Sequence, residues 1–298
     1  MKEPADQEIK LSIVVAAWNG ASLLRQCLAS LEKQTDKNKT EVIVVGNYPI
    51  SKNGFSLPGM FLTLPETATV PELRREGIAR ARGQIIALLE DQCVFDSRWC
   101  QEIKKAHRTG SVIGGPVENA SIDRALDWAV YFYDYGKYMP PNKGGPVADL
   151  SGMNVSYSRA VLEEIREVYE DGFFETFVNE ALKKRGHQLV MAPSAVVLHN
   201  KNYDLPRAAA HCYHLARSFA ARRSADFSLS KRGFFVAVSF ILPVLLPFRI
   251  ISVTIKKGRR LGQLIRSLPF LFLLMGVWSF GEFCGYLQGE GGSARKWR

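Results

Sequence analysis

Three polar clusters in the 298-residue chain suggest where chemistry lies: Trp18-Asn19, Gly46-Asn47 and Glu90-Asp91-Gln92. The first follows a nearly unbroken apolar run at residues 11–17, about the length of a strand buried on both faces, and the others follow a β-branched run at 41–45 and a strand at 84–89. In an open α/β sheet, ligands bind beyond the carboxyl ends of parallel strands, where loops and helix N-termini converge. Trp18, Asn19, Asn47, Glu90 and Asp91 are therefore expected along one sheet edge. Neither GxGxxG nor GxxxxGK occurs after the first run, which excludes the dinucleotide fold and the P-loop and leaves another kind of nucleotide binder. Two further residues stand where a strand or helix begins or ends. Glu175 opens a helical segment, where the dipole favours an acid, and His199 closes a strand.

The elements that position these groups read as repeated β-α units. The strand at 11–17 is followed by a helix opened by Ser22, with Leu23, Leu24, Cys27, Leu28 and Leu31 on one face, and then by the strand at 41–45. A helix with Pro71 near its start reaches Arg82 and stops at Gly83, before the strand at 84–89. A helix at 97–109 and a short strand at 111–113 follow. Residues 121–139 are aromatic-rich, and Tyr131, Phe132, Tyr133 and Tyr135 are read as packing. A loop spans 140–146, a strand 154–157, helices 159–168 and 175–185, and a last strand 195–198.

In this order the motifs resemble the family 2 glycosyltransferases, over roughly residues 9–200. Ser12-Ile13-Val14-Val15-Ala16-Ala17-Trp18-Asn19 is similar to the family's opening strand and turn. Leu73-Arg74-Arg75-Glu76-Gly77 through Gly83 is similar to its diphosphate-side segment. Glu90-Asp91-Gln92 falls at its DxD metal motif, and Gly152-Met153-Asn154 at its acceptor-side turn. Phe174-Glu175 is similar to the Glu-Asp pair that holds the catalytic base. The resemblance implies a GT-A fold, an α/β architecture with a Rossmann-like, mostly parallel central sheet flanked by helices. It implies a nucleotide-sugar donor held by Ala16, Trp18, Asn19, Asn47, Arg74, Glu90 and Asp91, and an acceptor held by Gly152, Met153 and Asn154. A divalent cation, Mg2+ or Mn2+, is expected on Glu90, Asp91 and His199. Glu175 is the expected general base of an inverting transfer, taking the proton of the attacking hydroxyl.

The departures are specific. Gly46-Asn47 replaces the Asp that holds the nucleoside base, which leaves the donor nucleotide open. Gln92 replaces the last Asp of DxD, and an amide is a weaker ligand than a carboxylate for a hard cation. Two other classes stand beside the enzyme: a non-catalytic nucleotide-binding membrane scaffold with a degenerate GT-A site, and a nucleotidyltransferase. The second lacks a Gly-rich loop with Arg and Lys after the first strand.

Charge divides the chain. Residues 207–298 carry 15 basic and 3 acidic side chains, against 24 and 26 in residues 1–206. The basic part also holds uncharged runs of 15 residues at 234–248 and 267–281. Basic residues beside apolar runs point to an anionic membrane surface and not to nucleic acid. Each run falls short of the ~20 residues of a full span. Pro243, Pro247 and Pro269, with Lys256, Lys257, Arg259 and Arg260 between the runs, favour re-entrant or interfacial helices. The expected division is a catalytic domain at 1–205, a basic amphipathic connector at 206–232, membrane-associated helices at 233–288 and a flexible tail at 289–298. The connector lacks the Gln-x-x-Arg-Trp motif of the family's processive synthases, so single transfers are expected, to a membrane-interface acceptor such as a polyprenyl-linked saccharide or polysaccharide precursor. Five scattered cysteines and a polar N-terminus read as a cytoplasmic catalytic domain at the cell membrane.

Overall fold

The computed structural model describes residues 9–52, 54–121 and 123–296. In chain order the elements begin with β1 (Leu11–Ala17), α1 (Ala21–Glu32), β2 (Thr40–Gly46), β3 (Gly59–Thr63), α2 (Val70–Arg80) and β4 (Ile85–Glu90). There follow β5 (Cys93–Phe95), α3 (Trp99–Ala106), β6 (Val112–Gly114), β7 (Val117–Asn119) and α4 (Ala125–Tyr135). Next come β8 (Gly145–Val147), β9 (Val155–Ser158), α5 (Arg159–Glu163), α6 (Glu175–Lys184), β10 (Leu189–Met191) and β11 (Val197–His199). Four helices close the chain: α7 (Leu205–Arg223), α8 (Leu229–Ser239), α9 (Leu242–Lys257) and α10 (Leu261–Gln288).

Two compact units result, residues 1–120 with 138–200, and residues 121–137 with 201–298. The first is an α/β unit around an eight-stranded sheet of order β3-β2-β1-β4-β9-β6-β10-β8. β3, β2, β1 and β4 run parallel, β9 runs antiparallel to both β4 and β6, and β10 is parallel to β6. A smaller sheet has the order β5-β11-β7. Every residue of β1, β2 and β4 is buried, as largely apolar strands are inside a parallel sheet flanked by helices, and the polar Ser12, Thr40, Glu41 and Glu90 are buried with them. Pairing of Ala16 with Glu90 and of Ala17 with Gly46 brings the ends of these three strands level, so the turns beginning at Trp18, Asn47 and Asp91 share one edge.

α2 carries a capping box: Thr69 Oγ1 accepts from Glu72 N, and Thr69 N donates to Glu72 Oε2 at 2.6 Å. It ends at Arg80, not Arg82, because Arg82 is drawn out of the helix by Glu41, which accepts from Arg82 N at 2.7 Å and from its Nε at 3.0 Å. The helix expected at 159–168 is α5 followed by a separate 3₁₀ turn at Arg166–Val168. The loop expected at 140–146 closes with β8, which pairs antiparallel with β10.

The second unit is helical. α4, from the aromatic stretch, packs against α10 through Tyr133 and Trp278, whose ring centroids lie 6.3 Å apart. Tyr131 and Phe132 are fully buried, as packing residues are. The division expected at residue 205 is therefore cut differently, since 121–137 groups with the C-terminal helices. Asp127 fixes this return: its carboxylate accepts from Arg124 and, at 2.8 Å, from Tyr203 N. α8 and α9 meet at a 68° bend. The run at 267–281, too short alone to span, lies inside the unbroken 28-residue α10, which continues past Pro269. At about 1.5 Å per residue such a helix is longer than the ~30 Å hydrocarbon core of a bilayer. α10 is thus apolar and long enough to cross a membrane.

Candidate active site

At the edge formed by β1, β2 and β4, Asp91 is fully buried and holds the turn after β1. Its Oδ2 accepts from Trp18 N at 2.9 Å and Asn19 N at 2.8 Å, its Oδ1 accepts from Asn19 Nδ2 at 2.7 Å, and its own N donates to Ala16 O. Burial pushes its carboxyl up to about 6 against the pull of the Asn19 bonds, and neighbouring Glu90 adds to the rise. Asn47 continues the edge: its N donates to Ala17 O and its Nδ2 to Ala68 O, bracing the loop that enters α2.

α2 delivers Arg74 to the end of β4. The guanidinium is buried and bridges two carboxylates from distant parts of the chain, Nη2 donating to Glu90 Oε1 at 2.7 Å and Nη1 to Glu175 Oε2 at 2.8 Å. Nη2 also donates to Gly152 O at 3.1 Å. Burial opposes the charge of Arg74, but Glu175 and then Glu90 outweigh it and raise its pKa. α6 begins at Glu175, so the base candidate sits on the first turn of a helix. Gly152 is required where the two meet: a Cβ there would lie 2.6 Å from Glu175 Cγ. Glu175 Oε1 accepts no hydrogen bond among the described residues, and its side chain is 22% exposed.

Not every expected group joins this centre. Asn154 is fully buried and spent on framework bonds, its Oδ1 accepting from Trp99 Nε1 and its Nδ2 donating to Pro116 O and Ala195 O. Met153 is buried, its carbonyl accepting from Cys93 Sγ. Of the expected acceptor turn, Gly152 lies against Glu175. His199 is buried in β11, paired with Cys93 of β5. Among the described residues no group of three or more His, Cys, Asp or Glu side chains is arranged to hold a metal ion, so Glu90, Asp91 and His199 are not gathered as the expected cation site. The donor set explains this, because both carboxylates are already hydrogen-bonded through both oxygens, Asp91 as above and Glu90 by Arg74 and by Gln92 Nε2 at 2.8 Å. The residues as arranged do not fit a bound divalent cation.

Two participants escape a reading of the sequence. Gln92, which looked like a loss, accepts from Asn19 Nδ2 and donates to Glu90. Tyr48, one residue beyond Asn47, has a buried hydroxyl with no hydrogen-bond partner among the described residues, its pKa raised first by burial and then by Asp91. Its place directly after the β2 turn was the available signal.

No protein-family model matches the chain, and no curated protein matches it. Solved structures do. A mannosyltransferase from Pyrobaculum calidifontis, in complex with GDP-Man and Mn2+, is similar at a TM-score of 0.55 with 12% identity, over 94% of this chain and 90% of that one. GalNAc-T7 with UDP, GalNAc and Mn2+ is similar at a TM-score of 0.50 with 12% identity, over 67% of this chain and 45% of that one. With its mostly parallel central sheet flanked by helices, the chain carries the GT-A fold.

Proposed function

We propose that the chain is a nucleotide-sugar-dependent glycosyltransferase that inverts the anomeric carbon, with Glu175 as general base, and that it works at a membrane. The observation that carries the reading is the meeting of Glu175 with Arg74, 101 residues away in sequence, at the carboxyl end of β4. In the reaction, Glu175 Oε1 takes the proton of the acceptor hydroxyl as that oxygen attacks the anomeric carbon and the bond to the nucleoside diphosphate breaks. Arg74 holds the other carboxylate oxygen, which fixes the orientation of the base. Trp18, Asn19 and Asn47 form the donor edge, and Gly152 leaves room beside the base for the acceptor.

Attachment to the membrane is assigned to the second unit. Phe234 on α8, Phe240 and Ile241 at the break between α8 and α9, and Val244, Leu245 and Phe248 on α9 are exposed, and Lys256, Lys257, Arg259 and Arg260 follow them. Exposed apolar helix faces beside cationic side chains suit an anionic bilayer. The acceptor is then a saccharide or precursor carried at that surface, handled one transfer at a time, with the α/β unit on the cytoplasmic side.

The test is Glu175→Gln, assayed with purified full-length protein, membrane extract and a panel of UDP- and GDP-sugars. Transfer is expected to fall by about 10²–10⁴-fold, the usual contribution of a positioned base, while stabilisation of the protein by the donor nucleotide persists. An unchanged transfer rate overturns the mechanism. A non-catalytic nucleotide-binding scaffold is the second reading, favoured by the complete engagement of Glu90 and Asp91. Nucleotide binding without sugar transfer from any donor selects it.

A further inference from the structure

The donor turn and the base belong to one continuous polar chain. Asn19 Nδ2 donates to Asp91 Oδ1 and Gln92 Oε1, Gln92 Nε2 donates to Glu90 Oε2, and Arg74 links Glu90 Oε1 to Glu175 Oε2. Gln92 makes the chain continuous because a primary amide accepts at one atom and donates at the other, whereas a carboxylate only accepts. An Asp at this position would set a second negative charge against Glu90. Arg74 already stands as a fixed cation between Glu90 and Glu175. Its Nε is buried with no partner among the described residues, so an unmet group at this centre is a hydrogen-bond donor, suited to an anion's oxygen. A cation entering here would have to displace the protein's own N–H groups from Glu90 and Asp91.

Resting on the glycosyltransferase reading, we propose that this centre binds its nucleoside diphosphate without a divalent cation. Arg74 supplies the positive charge, Gln92 closes Glu90 against a metal, and the N–H groups of Trp18 and Asn19 close Asp91. Gln92 acts as a positioning residue, holding Glu90 against Arg74. The Gln at the last position of the Glu90-Asp91-Gln92 turn is then a working part of a different electrostatic solution, not a decayed metal ligand.

The experiment is a titration of the full-length, detergent-solubilised protein with Mn2+, reading free Mn2+ by electron paramagnetic resonance. Alongside it, thermal stabilisation by UDP and GDP is measured in Mn2+ and in EDTA. Wild-type protein is expected to leave millimolar Mn2+ free and to be stabilised equally by nucleotide in either condition. Gln92→Asp, and Gln92→Asp combined with Arg74→Gln, are expected to gain a saturable Mn2+ site about tenfold tighter or more, because each change frees or adds a hard oxygen ligand. The single variant keeps the Arg74 ion pairs and guards against a folding failure in the double one. Saturable Mn2+ binding by the wild type that is lost in Asp91→Asn overturns the proposal, as does nucleotide stabilisation that vanishes in EDTA. Mn2+ binding by neither wild type nor variants overturns the role given to Gln92 and Arg74. If no nucleotide stabilises the protein in either condition, the glycosyltransferase reading fails, and the Mn2+ titration still decides whether Arg74 and Gln92 exclude the metal.

Discussion

The two units use the same kinds of apolar residue to opposite ends. In β1, β2 and β4 the Val, Ile and Leu side chains are buried, whereas Phe240 and Ile241 at the break between α8 and α9, and Val244 and Phe248 on α9, are each more than half exposed. The polar groups differ in the reverse sense. The α/β unit buries Arg74, Glu90 and Asp91 at the edge of its sheet, while in the helical unit Lys256 is exposed and Lys257 and Arg259 are half-buried, following the exposed apolar residues in sequence. Apolar sequence says that a surface leaves water; the partner it leaves water for is set by what the rest of the chain can place over it. In the first unit the chain supplies that cover, and in the second the proposed cover is a bilayer.

The comparison can be broken at its strongest point first. Arg74→Met leaves Glu90 and Glu175 without their shared cation, and the loss of a buried partner of this kind costs about 3–5 kcal/mol. Chemical denaturation of the full chain followed by tryptophan fluorescence should show it. Phe240→Ser with Phe248→Ser tests the other unit. Folding stability should change little, while partition to anionic vesicles in a sedimentation assay should fall by about tenfold or more, since each phenyl ring removed gives up roughly 1.5–3 kcal/mol of burial. Equal losses of stability and partition would mean that these side chains serve the unit's own core. Gly152→Ala is smaller in stability, about 1–3 kcal/mol of overpacking, and sharper in effect, because the added methyl displaces the Glu175 carboxylate. Transfer should drop while donor binding holds.

The smallest effect concerns His107. Burial pushes its pKa down from 6.5 to about 4, against a smaller upward pull from the Gly110 backbone. The folded state thus prefers the neutral ring, and its contribution to stability is complete above pH 6.5 and is lost as pH falls toward 4. Thermal melts across that window should decline in the wild type and flatten in His107→Gln.

Much of the site's frame is legible in sequence because strands buried in a parallel sheet show as largely apolar runs that stop at polar turns. That is how the edge at Trp18, Asn47 and Asp91 comes to be expected, and Pro71 with Gly83 brackets α2 to within two residues. β5, β7 and β8 are three residues each, too short for a period to show. The return of 121–137 to the C-terminal helices depends on Asp127 and Tyr203, which no local pattern connects. Asn154 carries the right residue type for an acceptor contact, but its environment, Trp99, Pro116 and Ala195, makes it a brace. Arg74 reads as a phosphate-side group, and its pairing with Glu175 is invisible until α2 and α6 are placed.

α2 behaves as a keyed shaft. Its rotation is fixed at one end by Thr69 and Glu72, and along its length by Gly77, where any side chain would collide with Val14 of β1. A helix turns about 100° per residue, so one residue gained or lost between 69 and 77 would swing either Arg74 or Gly77 off its face. Length changes are therefore forbidden in this stretch even where substitutions are mild, and the spacing from Thr69 to Gly77 should vary less among descendants of this gene than the residues that fill it.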